Sequence, residues 1–441
     1  MSTKSRVSFS QSLAKWIAPG IGIKRWLLLL LAGIFVAALG FAFFILNFLT
    51  AQNQQYQPVN WLFPVAAIAA GILMMSVSLF GYAHWLLLPY RKNQPAGIID
   101  TAYAYSKRHK GIKVVAIGGG TGLPSILRAM KPYTSNITAI VTVADDGGSS
   151  GRLRRDLGVL PPGDLRNNIA ALADDESLMT QLFQHRFNRG DLGGHAFGNL
   201  FISALASVTG SLESALIETA RVLNIQGQVF PATMDEVDLI ARVYIGGKEV
   251  TIHGESAITG AKGRIEEIRL SPPNVEAFAG SVDAILNADI VVLGPGSLFT
   301  SILPNLLVPG ISSALRATKA LRVYVCNIAT QPGETDHFSV ADHVLALEQY
   351  LGRGMIEVIL ANNAYPEENA GKNTVYVMPI PQDHEILQRY DVWMDDLVDV
   401  ERPWRHDPEK LAGVLLQNRP QVRQNSVNGS VQKEADSLVK T

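Results

Sequence analysis

The chain has 441 residues, a formal net charge of −1 and one cysteine, Cys326. The near-neutral charge excludes a broad electropositive surface for nucleic acid, and a lone cysteine excludes an intramolecular disulfide or a cysteine-rich zinc site. Apolar residues make up 47% of the chain and charged residues 17%, which is slightly too apolar for a wholly soluble protein. We therefore expect a membrane-attached segment next to a large globular domain.

Two long runs without charge lie in the first hundred residues. The first extends for 24 residues from Trp26 to Leu49, and the second extends from Trp61 to Pro89. A helix that crosses the hydrocarbon core of a bilayer needs about 20 residues, and aromatic side chains at the ends of such runs are typical of the interface. The pattern predicts two transmembrane helices rather than a buried helical hairpin or a cleaved signal peptide.

Basic residues flank this pair of helices at both outer ends, whereas the connecting residues 51–60 carry no charge. The positive-inside rule places the basic flanks in the cytoplasm. We therefore expect an inner (plasma) membrane protein with two spans, whose termini and globular domain are both cytoplasmic. The basic residues are Lys4, Arg6, Lys15, Lys24 and Arg25 before the first run, and Arg91, Lys92, Lys107, Arg108, Lys110 and Lys113 after the second.

Composition divides the chain into five segments. A linker follows the membrane helices, and strand-like and helical patterns then alternate through a large domain. The last residues lack the large apolar side chains that a core requires, which is typical of disorder. The predicted segments are 1–25 (cytoplasmic N-terminus), 26–90 (transmembrane pair), 91–111 (linker), 112–416 (globular domain) and 417–441 (disordered tail).

Five short runs rich in Val and Ile predict strands that are buried on both faces. Helical patterns follow several of them, which indicates a Rossmann-like, doubly wound and mainly parallel sheet. Residues 237–259 differ, because two β-rich runs around Gly246 and Gly247 predict an inserted antiparallel hairpin. The predicted parallel strands are 113–117, 137–143, 289–293, 322–327 and 356–361.

A glycine-rich loop follows the first predicted strand and precedes a helix. Such a loop lets backbone N–H groups and the positive helix end approach a phosphate. Leu123 stands where the third glycine of a GxGxxG dinucleotide motif would fall, so that motif is not met. We favour phosphate or nucleotide binding over a plain turn. The candidate residues are Gly118, Gly119, Gly120, Thr121 and Gly122.

Paired acids, Asp145 and Asp146, end the second predicted strand. Carboxylates at this end of a parallel strand can hold Mg²⁺ or a ribose hydroxyl, or act as a base, although Asp, Gly and Ser are also ordinary residues of a surface turn. We treat both acids as candidate catalytic and metal-binding residues. Asp164, which opens a later helix, is an acceptable N-cap residue.

Further polar loops follow at PPGDLRNN, GHAFGNL, GPGSLFTS and TQPGET. The run GPGSLFTS repeats the order of strand, small-residue turn and helix start with hydroxyl groups. Taken alone, His195 fits a structural histidine better than a ligand-binding one. Together these loops predict a cleft along the carboxyl ends of the strands. They add the candidate binding residues Asn168, His195, Asn199, Gly294, Gly296, Ser297 and Thr300.

These motifs, with the late run Arg405-His406-Asp407, resemble the gluconeogenesis-factor family, within the larger group typified by 2-phospho-L-lactate transferase. The resemblance covers roughly residues 112–415. It implies a Rossmann-like nucleotide-binding core, a UDP-N-acetylglucosamine-type ligand with Arg405 among the binding residues, and a role in cell shape and cell-wall growth on gluconeogenic carbon. The two predicted spans depart from the usual soluble member of the family.

Two functions of different classes remain open. The domain is either a non-catalytic regulator that binds a nucleotide sugar and acts on cell-envelope synthesis proteins, or a transferase in which Asp145 and Asp146 hold Mg²⁺ beside a leaving diphosphate. A dehydrogenase is a weaker third hypothesis because GxGxxG is not met. We favour the regulator, and we assign no cofactor beyond a nucleotide-sugar ligand and Mg²⁺ as a candidate ion. Homo-oligomerisation is left open.

Overall fold

In a computed structural model of the chain, the structure describes residues 23–52, 61–87, 108, 110–173, 178–366 and 375–418. These residues belong to an N-terminal unit, 1–103, and a globular unit, 104–441. Most of the predicted basic N-terminus, most of the predicted linker and nearly all of the predicted tail lie outside the described residues. Each unit is described by itself below.

The N-terminal unit contains two long helices, α1 (Ile23–Gln52) and α2 (Leu62–Leu87). An apolar stretch of 25 residues in α1 has a mean hydropathy of 2.8, and one of 22 residues in α2 has a mean hydropathy of 2.2. Both helices are therefore long enough and apolar enough to cross a membrane, as the sequence predicts. Residues 298–317 form a bent pair of helices that passes the same test when the pair is counted as one span. Many apolar side chains of this pair are buried in the globular unit.

Small residues allow α1 and α2 to pack closely. A Cβ atom at Gly71 would lie 2.6 Å from the backbone nitrogen of Ala37 and 2.6 Å from the carbonyl oxygen of Gly33. The hydroxyl of Ser78 on α2 donates a hydrogen bond to the carbonyl of Trp26 on α1. Close backbone approach at small residues is the usual way in which helices associate in a membrane.

The globular unit is built on a seven-stranded parallel sheet of order β10-β9-β8-β7-β1-β2-β3, beside a three-stranded antiparallel sheet of order β5-β4-β6. The strands are β1 Val114–Gly118, β2 Ile137–Val141, β3 Gln228–Pro231, β4 Asp238–Ile245, β5 Lys248–His253, β6 Arg264–Ser271, β7 Ile290–Leu293, β8 Leu321–Val325, β9 Val358–Asn362 and β10 Asp391–Asp395.

Helices cover both faces of the large sheet. They are α3 Leu123–Met130, α4 Gly148–Leu157, α5 Gly163–Leu172, α6 Leu178–Gln184, α7 Phe197–Thr209, α8 Leu212–Val222, α9 Glu255–Gly260, α10 Ala279–Leu286, a π-helical turn Leu298–Ile302, α11 Leu303–Leu306, α12 Pro309–Ala317, α13 Val340–Leu351 and α14 Ile386–Arg389. Residues 408–418 are also helical.

Strand β1 lies at the centre of the sheet and is buried at every position. Its alternate residues point to opposite faces, with Val115 and Ile117 in one hydrophobic core and Val114 and Ala116 in the other. The near-continuous apolar runs of the predicted strands reflect this burial on both faces. Because β2 pairs with one side of β1 and β7 with the other, the loops after β1 and β7 meet at the point where strand order reverses, the usual ligand crevice of such sheets.

The structure confirms the mainly parallel, Rossmann-like sheet and the inserted hairpin. Strands β4 and β5 pair antiparallel around Gly246 and Gly247. The insert also contains a third strand, β6, which the sequence analysis did not predict. Every second or third residue of its RIEEIRLS run is buried, so its alternation could have indicated a half-buried strand.

Candidate functional site

The glycine loop after β1 is held by an acid from a helix. The Gly120 N–H donates a hydrogen bond of 2.8 Å to Oδ2 of Asp164, and Gly120 has a φ of +60°, which favours glycine. A Cβ atom at Gly119 would lie 2.6 Å from the same carboxylate oxygen. The predicted loop therefore needs its glycines for close approach to Asp164 as well as for any ligand.

The second glycine loop, after β7, lies directly against the first. A Cβ atom at Gly122 would come within 2.5 Å of the Pro295 carbonyl oxygen and 2.7 Å of Cα of Gly296. Gly294 and Gly296 have φ values of +78° and +153°. The two loops, which the sequence analysis predicted to line one cleft, thus form one continuous surface at the switch point of the sheet.

A side-chain amide holds the second loop in place. Asn327, just beyond β8, accepts a hydrogen bond of 3.0 Å from the Gly296 N–H through Oδ1 and donates one of 2.9 Å to the Gly296 carbonyl through Nδ2. Gln331 donates a hydrogen bond of 2.6 Å to the Ser297 hydroxyl and accepts one of 3.2 Å from Asn327. These four hydrogen bonds hold the backbone of the loop after β7 in place.

A cleft of about 370 Å³ opens between these loops and the segment after β10. It brings together Thr121, Gly122, Gly296, Ser297 and Arg405, which the sequence analysis predicted as ligand-binding residues. The predicted residues outside this lining are Gly118, Gly119, Gly120, Asp145, Asp146, Asn168, His195, Asn199, Gly294 and Thr300. Its lining is Thr121, Gly122, Ser125, Pro295, Gly296, Ser297, Asn327, Ile328, Ala329, Thr330, Gln331, Pro332, Trp404, Arg405 and His406.

Trp404 and His406 flank Arg405 in this lining. The indole of Trp404 is 45% exposed, so one face is available to a planar ligand group. His406 is buried, and its Nε2 lies 3.0 Å from the Cys326 carbonyl. Burial lowers the pKa of His406 to about 4, so the ring is neutral near pH 7 and serves to anchor the segment that carries Arg405.

Several carboxylates lie close together beside the first loop. Burial, and then the negative charges of Asp145 and Glu334, raise the pKa of Glu255 to about 8. Burial and the charge of Asp145 also raise the pKa of Asp164 to about 6, against the hydrogen bond from Gly120. Like charges that share a partly desolvated space disfavour one another's ionisation. We call Asp145, Asp164, Glu255 and Glu334 the carboxylate cluster, in which burial and mutual repulsion both disfavour ionisation.

Glu334 is a buried member of the carboxylate cluster. Its Oε1 accepts hydrogen bonds from the hydroxyls of Thr300, at 2.9 Å, and Thr259, at 3.4 Å, while Oε2 is buried with no hydrogen-bond partner among the described residues. Burial raises the pKa of Glu334. Thr300, predicted to bind ligand, donates its hydroxyl to this carboxylate, and its ligand-binding role stays a prediction.

The two acids after β2 have different surroundings. Oδ1 of Asp145 accepts the Gly147 N–H at 2.9 Å, and burial raises the pKa of Asp145. Oδ1 of Asp146 instead accepts the Ser256 N–H at 2.9 Å in the first turn of α9. Asp146 therefore joins the parallel sheet to the insert, and its catalytic or metal-binding role stays a prediction.

Asp164 is not an N-cap residue. The N-cap of α5 is Pro162, and Asp164 lies within the first turn of the helix. Its carboxylate leaves the helix end and binds the loop after β1, a contact that the local sequence could not indicate. Asn168, four residues later, is fully buried and donates 2.8 Å to the Asp164 carbonyl, which is a structural role.

His195 and Asn199 meet Ser149 at the start of α4. Nδ1 of His195 lies 3.1 Å from the Ser149 hydroxyl, and Nδ2 of Asn199 donates to the same oxygen at 3.0 Å. Burial and the charge of Arg152 lower the pKa of His195. The structure therefore places these two predicted ligand-binding residues in a cluster of their own, apart from the lining of the cleft.

The sequence analysis did not name Asn305, Asn327, Gln331, Trp404 or Glu255 as candidate residues, although Gln331 lies in its TQPGET loop. Asn305 is fully buried and donates to the Gly118 carbonyl at 2.9 Å and to the Ser301 carbonyl at 2.7 Å, which links the two loops. Trp404 adjoins the Arg405-His406-Asp407 run, which was a usable signal. Glu255 lies in the insert, and nothing local connects it to the cleft.

The phospholactate transferase group implies a Mg²⁺ ion, and the acidic and histidine side chains present decide whether such an ion fits this site. No three His, Cys, Asp or Glu side chains of the described residues are placed to hold a metal ion together. Mg²⁺ is, however, usually held by one or two carboxylates, substrate phosphates and water. Asp145 and Asp164, whose charges interact, provide such a pair, so the residues fit an ion that arrives with a diphosphate.

The fold and the cleft define a Rossmann-like protein whose two glycine loops meet at the switch point of the sheet. Residues 114–396 match the 2-phospho-L-lactate transferase CofD family. A crystal structure of a UPF0052 family member from Bacillus halodurans is similar, with a TM-score of 0.65, 39% sequence identity, and coverage of 69% of this chain and 99% of that one.

Two relatives identify the subgroup of the CofD family to which the chain belongs. The gluconeogenesis factor of Bacillus subtilis (strain 168) is 46% identical over 310 residues, which is 69% of this chain and 97% of that protein. A protein of Nostoc sp. (strain PCC 7120) is 42% identical over 431 residues, with 91% of each chain covered. The chain therefore belongs to the CofD family and, within it, to the gluconeogenesis factors.

Proposed function

We propose that this chain is a membrane-tethered regulator that binds a nucleotide sugar of the UDP-N-acetylglucosamine type. The observation that carries the proposal is the direct contact between Gly122 and Gly296, which joins two glycine loops into one surface at the switch point. Backbone N–H groups at such a position suit the diphosphate that links a nucleoside to a sugar.

The rest of the cleft supplies groups for the remaining parts of such a ligand. The exposed face of Trp404 suits stacking with a base, and Arg405 suits charge-assisted hydrogen bonds to phosphate. Thr330 and Gln331 add polar atoms at the opposite wall. A cleft of about 370 Å³ lies within the range of small-molecule sites.

In this proposal the occupied cleft controls cell shape and cell-wall growth through cell-envelope synthesis proteins, with the domain in the cytoplasm. A nucleotide sugar is a precursor of wall polymers, so its binding would report precursor supply. The pair α1 and α2, each able to cross a bilayer, would keep the domain at the membrane where envelope synthesis takes place.

A second function, Mg²⁺-dependent transfer, is favoured by the carboxylate cluster. Asp145 and Asp164 would hold the ion, which would offset charge developing on a leaving diphosphate. Burial and mutual repulsion raise the pKa values of Asp164 and Glu255, and a divalent cation would favour the ionised carboxylates.

One experiment separates the two functions. The purified full-length chain in detergent is titrated with UDP-N-acetylglucosamine and Mg²⁺ in a calorimeter, and the mixture is analysed for products. The regulator predicts saturable binding of one ligand per chain without product, and Asp145→Asn should change affinity less than about tenfold. Product formed by the wild type and reduced on the order of 10²-fold in Asp145→Asn would establish the transferase instead.

A matched test in cells uses a deletion strain grown on gluconeogenic carbon. Under the regulator proposal, Asp145→Asn restores growth and shape as long as it still binds the nucleotide sugar. Failure of a ligand-binding Asp145→Asn variant to restore growth, together with turnover by the wild type, would contradict the proposal.

A further inference from the structure

Three arginines from separate elements converge on residues 193–198, away from the cleft. Nη2 of Arg152, on α4, donates a hydrogen bond of 2.9 Å to the Gly193 carbonyl, and Nη1 of Arg186, after α6, donates one of 2.6 Å to the Gly194 carbonyl. The stem of Arg166, on α5, packs on α7, since its Cγ lies 2.9 Å from the position of a Cβ at Gly198. We call these three side chains with His195 the basic cluster.

The positive charge of the basic cluster is not neutralised by ion pairs. Among the described residues, none of the three arginines forms a salt bridge, whereas Arg154 on the same helix α4 pairs with Glu236 and Asp238. The donors of the cluster reach carbonyl or amide oxygens instead, as Arg166 does with Asn167. Asp164 and Asp145 act on Arg166 through their charge but form no salt bridge with it, so the guanidinium groups can still make charge-assisted hydrogen bonds to an anion.

The members of the basic cluster also repel one another. Burial and the charge of Arg186 lower the pKa of Arg166, while Asp164 and Asp145 act in the opposite direction. The charges of Arg152 and Arg186 both contribute to lowering the pKa of His195, and Asp156 opposes them. A bound anion would relieve this repulsion between cations.

Backbone donors point to the same place. Helices α4 and α7 both begin beside the basic cluster, at Gly148 and Phe197, and neither has a side-chain cap. The first turns of helices carry N–H groups without intrahelical partners, which attract anions. The Nε–H donor of Arg166 is buried and has no hydrogen-bond partner among the described residues, so one donor of the basic cluster is unsatisfied and available to an anion.

We propose that the basic cluster is a second subsite, which binds the phosphate group of a ligand other than the nucleotide sugar. The subsite is distinct from the nucleotide cleft, since the basic cluster shares no residue with the cleft lining. The phosphate belongs either to a soluble phosphorylated molecule or to a phospholipid headgroup, which offer the same chemistry.

The test uses the full-length chain in detergent, with inorganic phosphate as the soluble probe and nanodiscs of phosphatidylglycerol or phosphatidylcholine as the lipid probes. We expect Arg152→Gln to weaken phosphate binding about tenfold or more, because a charge-assisted contact is lost. Arg155→Gln is the matched control, since Arg155 is an exposed arginine of the same helix. Phosphate bound at the glycine loops contributes equally to all variants and cancels.

The outcomes test whether the subsite exists and whether its phosphate belongs to a soluble molecule or to a lipid headgroup. A soluble ligand predicts the Arg152→Gln loss with inorganic phosphate, and a lipid headgroup predicts it only with phosphatidylglycerol. If Arg152→Gln lowers the melting temperature, Arg186→Gln, which changes an exposed side chain, gives the same comparison. Equal effects of Arg152→Gln, Arg186→Gln and Arg155→Gln, or no binding of either probe by the wild type, would overturn the proposal. UDP-N-acetylglucosamine affinity should stay within about twofold in all three variants.

Discussion

At the scale of single residues, Asn327 shows how one amide fixes a glycine loop. Its two side-chain hydrogen bonds satisfy both the N–H and the carbonyl of Gly296, as a neighbouring strand would. The glycine can then keep a φ of +153°, which other residues rarely adopt. The geometry uses an acceptor atom and a separate donor atom on the same side chain, which the Asn amide supplies.

Asn327→Asp should therefore disturb the site more than its size suggests. The substitution removes the donor and places a carboxylate against the Gly296 carbonyl and the Gln331 Oε1 atom. We expect a loss of about 1–3 kcal/mol in unfolding free energy and at least about tenfold weaker binding of UDP-N-acetylglucosamine. Asn287→Asp, at an exposed helix end, is the control for thermal unfolding and calorimetry. Unchanged ligand affinity in Asn327→Asp would show that the loop holds its shape without the amide.

Glu255 makes the stability of the domain depend on pH. Its pKa rises from 4.5 to about 8 on folding, so its contribution to stability is present below about pH 4.5 and is lost as the pH rises through about 8. We expect the wild type, measured in EDTA, to lose about 2–4 kcal/mol of unfolding free energy between pH 5 and pH 9 through this group.

The variant Glu255→Gln removes the titrating group and keeps the side-chain length. It should unfold at a higher temperature than the wild type at pH 9, and at a similar temperature at pH 5. Mg²⁺ should stabilise the wild type more than the variant at high pH if a cation offsets the carboxylate cluster. Parallel pH profiles for the two proteins would contradict the electrostatic description of the cluster.

At the scale of elements, the sequence was sufficient to predict strands β1, β2, β7, β8 and β9 and the hairpin β4–β5. Parallel strands in the middle of the sheet are buried on both faces, so their apolar runs are unbroken. Strands β3 and β10 lie at the edges, where apolar patterning is weaker, and they were missed. The glycine loops were predictable from their position between strand and helix. Their mutual contact was not, because it joins residues more than 170 positions apart.

The acidic residues illustrate the same limit. Asp164 and Asp146 look like ordinary helix-start and turn residues in the sequence. Their hydrogen bonds run to Gly120 and Ser256, which are 44 and 110 positions away. Local propensity carries no information about such partners. The sequence therefore placed polar residues at the strand ends but did not indicate which of them would form the cleft.

Contact between the two glycine loops gives an element-scale prediction. In Gly122→Ala, the new methyl group would meet the Pro295 carbonyl and Gly296 and force the loops apart. We expect a loss of about 1–3 kcal/mol in unfolding free energy and much weaker nucleotide-sugar binding. The control is Gly413→Ala, where a Cβ atom meets nothing within 4 Å in a helical segment, so stability should stay equal or rise. Equal effects of both substitutions would argue against a packed loop interface.

At the scale of the whole molecule, a pair of apolar helices accompanies a domain that relatives carry alone. The Bacillus subtilis relative matches 69% of this chain, whereas the Nostoc match covers 91%, more than the globular unit alone accounts for. The helices are thus shared with some relatives and absent from the match with others. This difference suits a CofD-family domain to which a separate helical unit is added in some relatives.

The orientation of that unit is open to a direct test. The basic flanks predict a cytoplasmic position for Thr441 and an external position for residues 51–60. A cytoplasm-dependent fluorescent reporter fused after Thr441 should be active, and an export-dependent phosphatase inserted at 51–60 should be active as well. The opposite pair of activities would reverse the predicted topology and place the domain outside.

The central claim is that the cleft at the β1/β7 switch point binds a nucleotide sugar. Calorimetric titration of UDP-N-acetylglucosamine into the full-length wild type and its Gly296→Val variant tests it most directly, because valine cannot adopt the φ of +153° at this position without strain. We expect saturable binding of one ligand per wild-type chain and none in a variant that still unfolds cooperatively. Wild-type affinity in Gly296→Val, or no binding by the wild type at millimolar ligand, would contradict the claim.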